Sequence, residues 1–284
     1  MATFFNQATL SYNDTIIDSN IVTGELVEVL SATKTALPST YEAGDSITYV
    51  VSIVNAGSNA LTDLTVTDNL GAYTFNTQTL VPLTYESGSV RYYSNGVLQP
   101  APTVADTNPL TITGLSVPAN GNVLLVYQAS VNQFAPLSLE STITNVALIS
   151  GDGLTTDITV SDTITAASEL DLTISKSICP DTVVDNGEIT YTFVIQNTGS
   201  IPATVADNVV VTDTFNPILN PIAVTYNSTP WTSPANYTYN TTTGLFQTVA
   251  GEITVPAATY TQDPTTGQWT IVPGVTVLRV TGTV

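Results

Sequence analysis

The chain reads as two copies of one repeat, set out of frame with its ends. "KTALPSTYEAGDSITYVVSIVNAGSNALTDLTVTDNL" starts at Lys34, and "KSICPDTVVDNGEITYTFVIQNTGSIPATVADNVVVTDTF" starts at Lys176. Gly44 matches Gly187, Asn55-Ala-Gly57 matches Asn197-Thr-Gly199, and Val66-Thr-Asp68 matches Val211-Thr-Asp213. Further on, "SVPANGNVLLVYQASV" ending at Val131 matches "IVPGVTVLRVTGTV" ending at Val284. Runs such as "SITYVVSIV" and "ITYTFVIQN" alternate in polarity and are separated by N-x-G turns. A period of two buries one face of each run, so each copy is expected to be an antiparallel β-sandwich. Two copies are too few for a solenoid and predict separate domains in tandem.

The frame is as informative as the repeat. After Val131 the first copy runs through "STITNVALISGDGLTTDITVSDTITAASELDLTISK" into the second lysine, whereas nothing matching follows Val284. The start of the chain, "ATFFNQATLSYNDTIIDSNIVTGELVEVLSATK", resembles that closing segment instead. Both contain Asn-x-Ala, then alternating residues, a polar turn and a second Thr/Ile-rich run, with Asn6 28 residues before Lys34 and Asn145 31 before Lys176. The expected organisation is a closing hairpin at residues 1–24, a complete sandwich at 25–166, and a sandwich lacking its last strands at 167–284. An unfilled sandwich leaves an open edge. Residues 1–12 of a neighbouring copy would fill it by strand addition, and such a head-to-tail contact propagates into an open filament. The competing expectation is that the hairpin folds back into the same chain and gives a closed monomer.

Composition narrows the partners. Four basic residues against 23 acidic ones give a net charge of −19, so neither nucleic acid nor an anionic membrane is expected as a partner. With 43% hydrophobic and 10% charged residues, the chain is far from the signature of disorder. It holds no apolar run long enough to span a membrane, and "MATFFNQATL" has neither the basic nor the apolar region of a secretory signal. Histidine is absent and Cys179 is the sole cysteine. Common nucleophile–base pairs and zinc sites are thereby excluded, and an enzyme is the least supported class. Cys179 reads as a small core residue near a strand end, with an intermolecular disulfide as the sharper option.

The series K…G-D-x-I-T-Y…N-x-G…V-T-D-x-L…N-x-A resembles the bacterial surface repeats catalogued as domain of unknown function eleven, and it does so in both copies. The resemblance implies an all-β fold of two tandem immunoglobulin-like β-sandwiches, here with an N-terminal donor strand or hairpin, in a cell-surface or spore-surface protein. The chain is similar too to Gram-positive adhesin and pilin domains that form Lys–Asn isopeptide bonds with help from a nearby acid. A short pair of such repeats without a visible signal looks like the subunit of a spore appendage.

The chain has only two lysines, one at the head of each repeat, a placement that favours chemistry over solubility. Burial in an apolar sandwich disfavours the ammonium, and a buried carboxyl can polarise an amide carbonyl while shuttling protons. The expected cross-links are Lys34 with Asn145 inside the chain, assisted by Asp68, and Lys176 with Asn6 of the next subunit, assisted by Asp213. Lysine and asparagine are expected on first and last strands that pair as neighbours. Asp45 and Glu188 are alternative acids in segments that read as exposed turns, and the "VTD" aspartates could instead cap turns. Tyr49, Tyr85, Tyr191 and Tyr226 read as core, and the sequons at Asn13, Asn227, Asn236 and Asn240 as chance. "DGLTTD" and "TQDPTTG" lack the spacing of an established calcium loop, so no metal or cofactor is expected. The leading function is a self-assembling fibre subunit whose partner is itself, with an unknown surface protein as a possible anchor. The alternative is a monomeric surface adhesin that binds a ligand through its loops.

Overall fold

The computed structural model describes every residue except Met1, Val27, Glu28, Asp152, Gly153 and Thr155. It is all-β, in two compact units. Most of residues 1–164 fall in the first; residues 165–284, with 40–43 and 133–142, form the second. The expected tandem sandwich architecture is what the chain adopts.

In the first unit one sheet runs in the order Val97–Gln99, Arg91–Ser94, Gly121–Val131, Ser46–Asn55, Leu30–Leu37. The facing sheet runs Thr103–Thr107, Leu110–Val117, Leu61–Asp68, Thr142–Ser150, Ile158–Ala166. The alternation in "SITYVVSIVN" does what its period predicts: Ile47, Tyr49, Val51 and Ile53 are fully buried, as are Leu64, Val66, Ile112 and Leu125. Burial of each such side chain contributes about 1.5–3 kcal/mol.

The second unit repeats this plan with one sheet shortened. Leu172–Cys179, Glu188–Asn197, Gly274–Thr283, Ile222–Tyr226 and Thr229–Trp231 form the first sheet; Thr212–Thr214, Leu245–Thr248 and Tyr237–Tyr239 form the second. The two repeats agree in register: Tyr49 stands opposite Tyr127 across its strand pair, and Tyr191 opposite Val280. The N-x-G turns are pinned identically. Asn55 accepts from the Gly57 amide at 2.9 Å and donates to the Asn59 and Pro118 carbonyls, while Asn197 accepts from Gly199 at 2.9 Å and donates to Ile201 and Pro256. A buried amide with its groups satisfied fixes the turn.

The chain start is a ribbon. Ala2–Asn6 pairs with Val22–Leu26 and Thr9–Tyr12 with Thr15–Asp18, the latter across a two-residue turn in which Asn13 and Asp14 take φ of 45° and 57°. Both residue types tolerate that region, as such hairpin turns demand. Phe4, Phe5, Leu10, Tyr12, Ile16, Ile17, Ile21 and Val22 are all exposed along it.

Two expectations are corrected. Cys179 is exposed rather than core; it lies three residues from the inward-facing Lys176, and an odd spacing turns it to the outer face. The lysine strand Leu30–Leu37 and the asparagine strand Thr142–Ser150 do not pair as neighbours, because they lie in opposing sheets. Lys34 and Asn145 therefore approach the core from opposite sides.

Candidate functional site

In the first unit Lys34, at the centre of its strand, points inward and is buried, its side chain fully shielded from solvent. Its Nζ donates to Asp68 Oδ2 at 2.5 Å and lies 4.7 Å from the ring centroid of Tyr49. Asp68 ends the strand Leu61–Asp68, where its other oxygen accepts the Leu70 amide at 2.8 Å. The carboxylate thus caps the turn that follows and also holds the lysine. The Tyr127 hydroxyl, from the centre of Gly121–Val131, donates to the same Oδ2. Tyr127 stacks on Tyr49 with centroids 5.6 Å apart.

Asn145 is completely buried two residues before Ala147, which stands opposite Asp68 in the sheet. Its Oδ1 accepts the Gly71 amide at 3.2 Å, while its Nδ2 is buried with no acceptor at bonding geometry. The asparagine amide also lies close enough to the Tyr127 phenol to oppose, weakly, the rise of its pKa; contact between the two groups stops short of a formed hydrogen bond. The Gly71 amide, not Asp68, is therefore the group that polarises the Asn145 carbonyl. Asp68 faces the lysine and the phenol. That division differs from the expectation of one acid serving both functions.

The titration behaviour follows from burial. Desolvation lowers the Lys34 pKa, opposed by the charge and hydrogen bond of Asp68 and by the charge of Asp162. The Tyr127 phenol is pushed well up, first by burial and then by Asp68. A lysine drawn toward neutrality beside an acceptor for its proton, and in the same core an amide whose carbonyl is hydrogen-bonded, are the groups that acyl transfer to an amine uses.

Gly71 is required by its own geometry. Its φ is +73°, and a Cβ there would stand 2.4 Å from Ile143 Cγ2. Gly71→Ala is expected to cost about 1–3 kcal/mol in urea unfolding and to withdraw the amide from Asn145; an unchanged midpoint would show the turn to be adaptable.

In the second unit Lys176 and Asp213 form the matching ion pair. Lys176 sits 4.3 Å from the Tyr191 ring and 5.5 Å from both Phe193 and Phe215. Here the site is open: the side chain of Lys176 is 40% exposed, against 0% for Lys34. It lies in a groove of about 330 Å³ lined by Ile174, Lys176, Phe193, Val210, Val211 and Asp213. Inward-facing Ile178 is 42% exposed, while its counterpart Ala36 is 3% exposed and its amide donates to Asp162. In the first unit Thr65–Asp68 pairs with Ala147–Ser150. No strand pairs with that edge of Thr212–Thr214 among the described residues. Asn6 lies on the exposed ribbon, opposite Val22.

Asp45 is half-buried and Glu188 exposed. Tyr49 and Tyr191 are core; Tyr85 and Tyr226 are half-buried, and Tyr226 stacks on Trp231. Asp263 in "TQDPTTG" accepts the Thr265 and Thr266 amides at 2.8 and 2.7 Å, the marks of a turn. "DGLTTD" begins on residues outside those described. No group of three potential metal ligands occurs among the described residues. No helix among them is long and apolar enough to cross a membrane.

No protein-family model and no curated protein matches the chain, so the repeat-family resemblance rests on the residues quoted for it. Solved structures do match. BcpA, the major pilin subunit of Bacillus cereus, is 12% identical, with 95% of this chain and 73% of that one covered at a TM-score of 0.36. The pilus backbone RrgB from Streptococcus pneumoniae is 10% identical, with 86% and 55% covered at 0.34; this chain thus spans about half of its length. A collagen-binding domain from a Staphylococcus aureus adhesin is 14% identical, with 47% and 96% covered at 0.31. These are bacterial surface proteins, and the likeness is one of architecture alone.

Proposed function

We propose that the chain is a structural subunit of a cell-surface or spore-surface fibre. Subunits join head to tail by donor-strand complementation and are locked by autocatalytic amides, Lys34–Asn145 within a chain and Lys176–Asn6 between chains. One observation carries this reading: Lys176 and its acid stand in an open groove where the first unit places its asparagine strand. The ribbon at the chain start has the residues to fill it. Aligned on the two asparagines, Phe4, Asn6, Ala8 and Leu10 take the inward positions of Ile143, Asn145, Ala147 and Ile149. Ala8 then comes opposite Asp213, as Ala147 stands opposite Asp68.

Lys176→Ala tests the covalent part. Polymers should still form, because strand addition does not need the amine, but they should fall to monomers on boiling in detergent. The Lys34–Asn145 amide should survive as the loss of one ammonia from the monomer mass. Detergent-resistant Lys176→Ala polymers would sink the cross-subunit bond.

A further inference from the structure

Each repeat brings a lysine and an aspartate together, but among the described residues only the first brings a third polar side chain to the acid. Tyr127 is fully buried, and its hydroxyl donates to the same Asp68 oxygen that Lys34 holds. At the matched position the second repeat carries Val280. A phenol in a sandwich core needs a hydrogen-bond partner but does not need this one. Its oxygen is bonded to the acid and lies near the Asn145 amide, whose Nδ2 is buried without an acceptor. That nitrogen is the one the amide-forming reaction must expel, and it has to gain a proton to leave.

We propose that Tyr127 is the proton relay of the intrachain bond, carrying a proton from Asp68 to the departing nitrogen of Asn145. The inference rests on the cross-linking reading above. Lys34 first gives a proton to Asp68, and the neutral amine attacks Cγ of Asn145. The new C–N bond forms as the carbonyl electrons move to Oδ1, held by the Gly71 amide. Tyr127 passes its proton to Nδ2, and Asp68 restores the phenol. The Cγ–Nδ2 bond then breaks, the carbonyl re-forms and ammonia leaves, while Asp68 takes the surplus proton from Nζ. Protons balance: the ammonium's three and the amide's two end as one on the new amide, three on ammonia and one on Asp68. Asp68 has no direct hydrogen-bonded route to Nδ2, since its Oδ1 faces the Leu70 amide and its Oδ2 faces Lys34 and Tyr127.

Tyr127→Phe removes the relay and keeps the ring. The test follows freshly translated full-length chain by intact mass, timing the loss of ammonia across pH 6–9. General acid–base assistance is worth at least about 100-fold, so Tyr127→Phe should close its intrachain bond about 100-fold more slowly at every pH. Cross-links at Lys176 are removed from the count by Lys176→Ala in both proteins. Thermal unfolding of Asn145→Ala, with and without Tyr127→Phe, reads the packing contribution where no bond can form. Slow closure with near-equal melting supports the relay. Equal closure rates overturn it, as does slow closure that merely tracks a large fall in melting temperature. Failure of the underlying reading looks different: the Tyr127-bearing protein itself would then keep its full mass.

Discussion

Deleting residues 1–12 should convert a detergent-resistant ladder of multimers into a single monomer band, with the internal bond still formed. The expectation rests on complementary exposed surfaces. Phe4 and Leu10 on the ribbon, and Ile174 and Ile178 beside Lys176, are four apolar side chains open to solvent. At roughly 2 kcal/mol each their mutual burial contributes on the order of 8 kcal/mol, against the ordering and association costs that any interface bears. Pairing the open edge of Thr212–Thr214 adds main-chain hydrogen bonds to that total. A two-stranded ribbon is marginal alone in water, so the free ribbon can exchange its own pairing for the groove. The measurement is denaturing gel electrophoresis after boiling, with intact mass. Filaments from the shortened chain would rule out strand donation. A full-length chain that runs as one band at unreduced mass would leave both lysines without covalent chemistry and put the adhesin reading first.

The sandwich was legible because its cause is local. Alternation in "SITYVVSIVN" and "EITYTFVIQN", and an asparagine two residues before glycine, specify strands and turns without knowledge of distant partners. The equivalence of the two lysines was legible for the same reason. What could not be read was which sheet each end of the repeat would join. Lys34 and Asn145 reach the core from opposing sheets, and only the pairing of Thr142–Ser150 with Leu61–Asp68 sets Asn145 two residues before the residue opposite Asp68. The Gly71 amide was hidden because a main-chain donor leaves no residue-type signal, although a glycine three residues past the acid hinted at a left-handed turn. Tyr127 drew no expectation from its own strand. Its signal was a mismatch: a tyrosine in one repeat against Val280 in the other, at a position where the flanking strands agree. Parity from Lys176 would have placed Cys179 on the outside.

Asp68→Ala should have the largest effect on the first unit, through two losses that can be separated. Without the acid Lys34 has no proton acceptor, the amide should not form, and the mass should stay whole. By analogy with a disulfide closing a loop of similar length, losing the clamp between residues 34 and 145 costs about 5 kcal/mol. The second loss is electrostatic: a buried lysine stripped of its counter-charge costs about 3–5 kcal/mol. Together these correspond to a fall in melting temperature on the order of 30 °C for a unit of this size. The electrostatic part has a sign in pH. Burial already lowers the Lys34 pKa below its ordinary 10.5, and removing Asp68 lowers it further. Between that depressed value and 10.5 the unfolded chain binds more protons than the folded one, so stability rises with pH through the window. In an Asn145→Ala background, which removes the clamp from both proteins, the cost of Asp68→Ala should therefore shrink as pH is raised from 7 toward 10. A cost that stays constant over that range would mean that Lys34 is not the group left stranded, and that Asp68 matters to the fold through its cap on Leu70 instead.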